Sequence, residues 1–180
     1  MILTGKAIIE YHEKKDIVIE PFLMENVNPN SYNFRLDKQL RVYDYFPLDP
    51  KKENAYSTIE IPEDEGYVLE PGKLYLANTL EILGSTKFVP TFNARSSIAR
   101  LGIFINLSAT LCDIGFIGQL TLQLFSAHRV RVYRNMNIGQ MMFWRPNGEI
   151  KLYDGKYQSS RGPQTTKIYQ DFNNCKERLL

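Results

Sequence analysis

Short runs of apolar and β-branched residues, separated by turn-forming ones, dominate this chain. "DIVIEPF" from Asp16, "SYNFRL" from Ser31, "LRVYDY" from Leu40 and "STIEI" from Ser57 are four of them. "YVLEPGKLYLANTLE" from Tyr67, "KFVPTF" from Lys87, "IFINLS" from Ile103, "QLTLQLFS" from Gln119, "RVRVYR" from Arg129 and "IGQMMFW" from Ile138 continue the series. Pro, Gly, Asn and Asp punctuate the gaps, so these runs predict strands joined by turns. "EPGK", inside the long fifth run, predicts a turn between two of them. Strands at this spacing predict a mainly β fold, a sandwich or a barrel. Two segments break the pattern. Thr4 predicts an N-cap for a short helix reaching about Lys14, with Ile8, Ile9 and His12 turned inward. "SSIARLG" predicts a single helical turn that ends at Gly102.

The strand "QLTLQLFS" is the most informative run. Leu120, Leu122 and Leu124 share one face, and Thr121, Gln123 and Phe125 share the other. The leucines belong to a core. The second face suits either a pocket wall, with Gln123 at its middle, or an ordinary solvent surface.

With 180 residues, 43% hydrophobic and 23% charged, the chain reads as one globular domain with a sizeable core. A formal charge of +2 gives no global basic field for nucleic acid. The first residues have no apolar stretch of signal-peptide type, and no run is long enough to span a bilayer. Cys112 and Cys175 make no disulfide framework, which predicts a reduced, cytoplasmic protein. The tail from "DGKYQSSRGPQTTK" onward is polar and offers little to a core. It is either a frayed terminus or a lid that orders over a ligand.

Several chemistries lose their support. There is no GxGxxG. "GYVLEPGKL" fails as a phosphate loop, with five residues between its glycines and Leu74 where a magnesium-holding hydroxyl belongs. The H-x-E and P-C-x-x-C pair of zinc deaminases is missing, and His12 and His128 bring no nucleophile-elbow motif with them.

What remains is the stretch from Phe92 to Ser126. Arg95, Ser96, Ser97 and Arg100 lie together. Helical geometry puts the serines at an N-terminus with free backbone N–H groups, and the guanidiniums add fork-shaped donors suited to phosphate oxygens. The alternative is a capped helix whose arginines bond carboxylates or a neighbouring subunit. Asp113 lies in the glycine-punctuated turn "CDIGFIG", either structural or functional. Phe116 can pack over a sugar or plug the end of the fold.

The run "RSSIARLG…N…A…D.GF.G.LTLQL", ungapped from Arg95 to Gln123, resembles the dCTP deaminase branch of the superfamily that also contains the trimeric dUTPases. The resemblance extends weakly to the N-terminus and to "GKYQSSRG". It implies a distorted, jelly-roll-like β barrel over residues 1–155 with a short N-terminal and a short central helix. It also implies a C-terminal lid over 156–180, a homotrimer, and nucleotide sites between subunits. It implies zinc-independent deamination of dCTP to dUTP, with hydrolysis of dUTP to dUMP in some members. Magnesium is implied to arrive on the triphosphate.

The residue roles implied are these. Arg95, Ser96, Ser97 and Arg100 hold phosphates and order a water. Ala109 holds that water and the base through its backbone. Asp113 contacts the 3′-hydroxyl and, in the dUTPase relatives, prepares the water that attacks phosphorus. Phe116 crowds the sugar against a 2′-hydroxyl, and Lys156 folds over the phosphates. Two positions depart from the pattern. Gln123 stands where deaminating members carry a proton-carrying Glu. Ser160 stands where many relatives have a phosphate-touching Gln, with Arg161 beside it. Three outcomes follow: a deaminase using another base or trapping its substrate, a dUTP diphosphatase only, or a non-catalytic nucleotide binder.

Overall fold

A computed structural model describes residues 1–177 of the chain, with side chains to residue 173. Cys175 therefore lies on a described backbone, and its side chain is outside the described residues.

Helix α1 (Gly5–Glu13) starts where the sequence predicts. Thr4 is extended, and its hydroxyl accepts from the Ala7 N–H at 3.4 Å. Ile8 is buried, Ile9 is half-buried, and His12 stacks on Phe22 with ring centroids 4.4 Å apart. The first strands are β1 (Ile17–Glu20), β2 (Tyr32–Arg35), β3 (Gln39–Tyr43) and β4 (Tyr56–Glu60), with a 3₁₀ turn at Met24–Asn26 after β1. The long fifth run splits into β5 (Tyr67–Leu69) and β6 (Leu74–Asn78), with Glu70–Lys73 turning between them. Then come β7 (Ile82–Ser85), β8 (Val89–Ala94) and α2 (Ser96–Ala99). The remaining elements are β9 (Ile103–Phe104), β10 (Ile117–Gly118), β11 (Thr121–Ser126), β12 (Val130–Val132), β13 (Asn137–Trp144) and α3 (Tyr169–Glu177). β7, β10 and α3 are not among the elements expected from the sequence.

The strands are mainly antiparallel and hydrogen-bond in four sheets: β1-β7-β10, β4-β3-β6-β11-β9, β12-β5 and β2-β13-β8. They surround one core but do not run into one another as a single closed barrel. Ile8, Ile17, Ile19, Phe34, Phe143 and the inward leucines of β11 are among its most deeply buried members. β11 pairs with β6 in the register Thr121↔Asn78, Gln123↔Leu76 and Phe125↔Leu74. Its exposure alternates as expected: Leu122 and Leu124 are buried, Thr121, Gln123 and Phe125 half-buried.

A buried ion pair ties two of these sheets together. Glu81 is fully buried and accepts from the Arg35 side chain (Nε to Oε1, 2.7 Å) and from the Arg35 backbone N–H (2.9 Å). Removing one partner of such a pair leaves a desolvated charge. Glu81→Ala is therefore expected to lower unfolding stability by about 3–5 kcal/mol, read as a shifted urea midpoint with an unchanged slope.

Candidate functional site

A cavity of about 490 Å³ opens on the outward face of β11. Thr121 and Gln123 form its floor, two residues apart on one face of the strand. The turn after β9 supplies one wall with Ala109, Asp113 and Phe116, and the polar tail supplies another with Tyr157, Ser160 and Gln164.

Close backbone packing sets the Asp113–Phe116 turn. The Phe116 N–H donates to the Asp113 carbonyl at 3.2 Å, and the Gly115 N–H donates to the Ser85 carbonyl at 2.7 Å. Gly115 holds φ +99°, which only glycine adopts freely, and Gly84 on β7 lies so near that a Cβ would collide with the Phe116 carbonyl oxygen. The turn thus presents Phe116 edge-on to Tyr153, with centroids 6.2 Å apart, and leaves Asp113 exposed. Cys112, buried beside it, is not a reactive group. Burial, and then the Asp113 charge, push its thiol up to about 12. It should resist iodoacetamide at pH 8 in the folded protein and react only on denaturation, as peptide mapping would show.

The tail is held by hydrogen bonds, not by apolar anchors alone. Gln158 Oε1 accepts from the Ile117 N–H (3.0 Å), and its Nε2 donates to the Gly115 carbonyl (2.7 Å). Gln119 Oε1 accepts from the Gly162 N–H (2.7 Å), while its Nε2 donates to Asp37 Oδ2 (3.2 Å) and the Leu80 carbonyl (3.1 Å). The Thr121 hydroxyl accepts from the Gln164 N–H (2.9 Å), and the Tyr43 hydroxyl accepts from the Thr166 N–H (3.0 Å). The segment 157–166 is thereby stitched across the cavity mouth by side chains whose own acceptors it fills.

Of the residues singled out in the sequence, Ala109, Asp113, Phe116 and Gln123 meet around this cavity. Ser160, the second departure, is buried in its wall. Arg95, Ser96, Ser97 and Arg100 do not line it. They sit at α2, with both serines and Arg100 exposed and Arg95 half-exposed. Neither arginine makes an ion pair among the described residues, so the reading in which they bond this chain's own carboxylates finds no support here. Lys156 also stands off the cavity, its Nζ 2.6 Å from Asp171 Oδ2. Arg161 donates to the Ser159 and Ser160 carbonyls. Sequence reasoning missed Gln119, Tyr43, Tyr153 and Tyr157, whose roles come from distant chain partners. Among the described residues no three His, Cys, Asp or Glu side chains gather as a metal cage, and no helix is long and apolar enough to cross a membrane.

Gln123 has a fixed orientation. Its Oε1 accepts from the Leu107 N–H at 3.0 Å, which leaves Nε2 without a protein acceptor among the described residues. An amide is neutral, and near neutral pH it neither takes up nor gives up a proton as a carboxyl group does.

The chain as a whole is similar to known proteins. The family model described as dCTP deaminase-like matches residues 2–146. A protein of Hathewaya histolytica named dCTP deaminase, dUMP-forming, is 47% identical over 173 residues, covering 96% of this chain and 99% of its own. A protein of the same name from Clostridium acetobutylicum is 47% identical over 175 residues, covering 97% and 100%. The crystal structure of 2′-deoxycytidine 5′-triphosphate deaminase from Agrobacterium tumefaciens superposes with a TM-score of 0.62 at 24% identity. That match covers 79% of this chain and 47% of the longer one, and it speaks for the fold. This chain belongs to the dCTP deaminase-like family.

Gln119→Ala should free the tail from the cavity mouth. Hydrogen exchange at residues 158–166 is expected to quicken about ten- to a hundredfold, the scale of one lost buried hydrogen-bonding side chain, with exchange in β13 unchanged.

Proposed function

We propose that this chain is a pyrimidine deoxynucleoside triphosphate hydrolase that forms dUMP, and that it works as a homotrimer. The observation that carries the proposal is the division of the site. The cavity holds Ala109, Asp113, Phe116 and Gln123, suited to a base and a deoxyribose, while the phosphate-type cluster of α2 stands outside it. A second copy supplies Arg95, Ser96, Ser97 and Arg100. Exposed Leu101, Phe104 and Leu107, next to α2 in sequence, give a second copy an apolar surface to cover.

In this reading Phe116 packs against the sugar, leaving no room for a 2′-hydroxyl. Asp113 accepts the 3′-hydroxyl and takes a proton from the water that attacks the α-phosphorus, so that dUTP and water give dUMP and pyrophosphate. The backbone of Ala109 holds base and water. The guanidiniums balance charge on the phosphates, with Lys156 exchanging Asp171 for the triphosphate. Magnesium comes bound to the triphosphate, which fits a site whose only cavity carboxylate is the exposed Asp113.

The curated relatives carry the name dCTP deaminase, dUMP-forming. Gln123 favours a narrower reading here, in which dUTP hydrolysis outweighs deamination. Conversion of dCTP and water to dUTP and ammonia needs a group that takes a proton and returns it, and a carboxamide does neither.

Following ammonia and pyrophosphate from dCTP and from dUTP, with magnesium, tests both readings. Pyrophosphate from dUTP is expected, with little ammonia from dCTP. Gln123→Glu should raise ammonia release by about 10²-fold or more. Asp113→Asn and Arg100→Ala should each abolish most pyrophosphate release, and mixing the two variants should restore part of it if sites are shared between copies. A stable monomer on sedimentation, or neither product from either nucleotide, would overturn the proposal.

A further inference from the structure

We infer that the cavity selects a 4-oxo pyrimidine, uracil in a deoxynucleotide, over cytosine, and that Gln123 is the residue that sets this preference. The inference rests on the reading that the cavity takes a pyrimidine deoxynucleotide with its base on the β11 floor.

The argument is one of hydrogen-bond polarity. A glutamine side chain can ordinarily turn its amide to offer either a donor or an acceptor. Here it cannot. The Leu107 N–H holds Oε1 at 3.0 Å, and turning the amide over would set two donors against each other. With Oε1 turned to Leu107, Gln123 has its two Nε2 hydrogens left to offer the cavity. The neighbouring floor residue leans the same way: the Thr121 oxygen accepts from the Gln164 N–H at 2.9 Å, which occupies one of its two lone pairs and leaves its hydrogen free to donate. The same holds for the rim hydroxyls of Tyr43, which accepts from Thr166, and Tyr157, which accepts from Lys167 at 2.9 Å. Backbone N–H groups take up part of the acceptor capacity on this side, and the hydroxyl hydrogens and the Gln123 N–H groups tilt the balance toward donors.

A donor-presenting floor discriminates between the two bases. Uracil has carbonyl oxygens at positions 2 and 4 and a single N–H at position 3. Cytosine has one carbonyl, a bare ring nitrogen and a 4-amino group with two hydrogens. An N–H from Gln123 meets an acceptor at position 4 of uracil and another donor at position 4 of cytosine. An unmatched donor in a partly enclosed site loses its water without gaining a partner. A carboxylate at 123 would reverse the sign, because it accepts only.

The test is calorimetric titration of the full-length protein with magnesium and two non-hydrolysable nucleotides. They are the dUTP and dCTP analogues whose α–β bridging oxygen is replaced by NH, which blocks pyrophosphate release, and ammonia is followed in parallel so that titrations in which the cytosine analogue is deaminated are set aside. The uracil analogue is expected to bind about ten- to a hundredfold more tightly. Gln123→Glu should bring the ratio to one or invert it, and Gln123→Met should flatten it without introducing charge. Equal binding by the unmodified protein, or tighter binding of the cytosine analogue, overturns this inference and leaves the nucleotide reading standing. A ratio that survives both substitutions removes Gln123 as its cause. Failure of both analogues to bind overturns the nucleotide reading, and this inference falls with it.

Discussion

β11 must serve two environments at once, and the period of two in its side chains is the constraint the rest of the molecule is arranged around. Leu122 and Leu124 have no accessible surface, and the residues between them floor a cavity. A slip of one residue against β6 would send Thr121 and Gln123 into the core and the leucines into the cavity. The register Gln123↔Leu76 is therefore defended by the apolar core on one side. On the other side it is defended by hydrogen bonds that fit only this phase: Leu107 N–H to Gln123, and Gln164 N–H to Thr121. Core packing and site geometry are thus the same fact seen from two faces of one strand.

The tail exploits that fixed floor. Segment 157–166 packs Tyr157 against the core and buries Pro163, but it is mostly polar, and a polar segment is ordered only if its backbone groups find partners. Gln119, Thr121 and Tyr43 supply them, each through an oxygen that accepts a tail N–H, and Gln158 of the tail in turn accepts from the Ile117 N–H. Gln119 is anchored in turn to Asp37 and the Leu80 carbonyl, so the cover over the cavity is connected to the β6–β7 corner. That corner also holds the Arg35–Glu81 pair. Polar bonding here reaches from the core to the mouth of the cavity without an intervening flexible link.

What could be read from the sequence follows from how local its cause is. The α1 cap at Thr4, the turn at Glu70–Lys73, the helical turn at Ser96–Ala99 and the alternation of β11 all depend on neighbours within a few residues, and all are where the pattern put them. β7 and β10 were not legible. "ILGS" and "IG" are short and glycine-bearing, and they become strands because β1 and the Phe116 turn come close to them. The tail was ambiguous for the same reason, since its order depends on acceptors more than forty residues away in sequence. For the site, the motif marked Ala109, Asp113, Phe116 and Gln123, which the fold brings together, and α2, which it leaves outside their cavity. Alternation puts Gln119 on the face of Thr121 and Gln123 but could not show the tail it bonds, and no local pattern marked Tyr43.

The Gln123 carboxamide shows how base and phosphate chemistry can part company in such a site. A carboxylate at this half-buried position would suffer some loss of hydration, offset by the Leu107 N–H, and would remain an acceptor. The amide avoids that cost and keeps nearly the same shape. It loses the ability to carry a proton and gains a fixed donor face. The cluster at α2 is untouched by the exchange, because it shares no hydrogen bond with Gln123 and does not line the same cavity. Changes in sites that share no partners are close to additive. In the proposed reading, a change at this one position alters what is done to a base while the α2 cluster keeps its own side chains and surroundings.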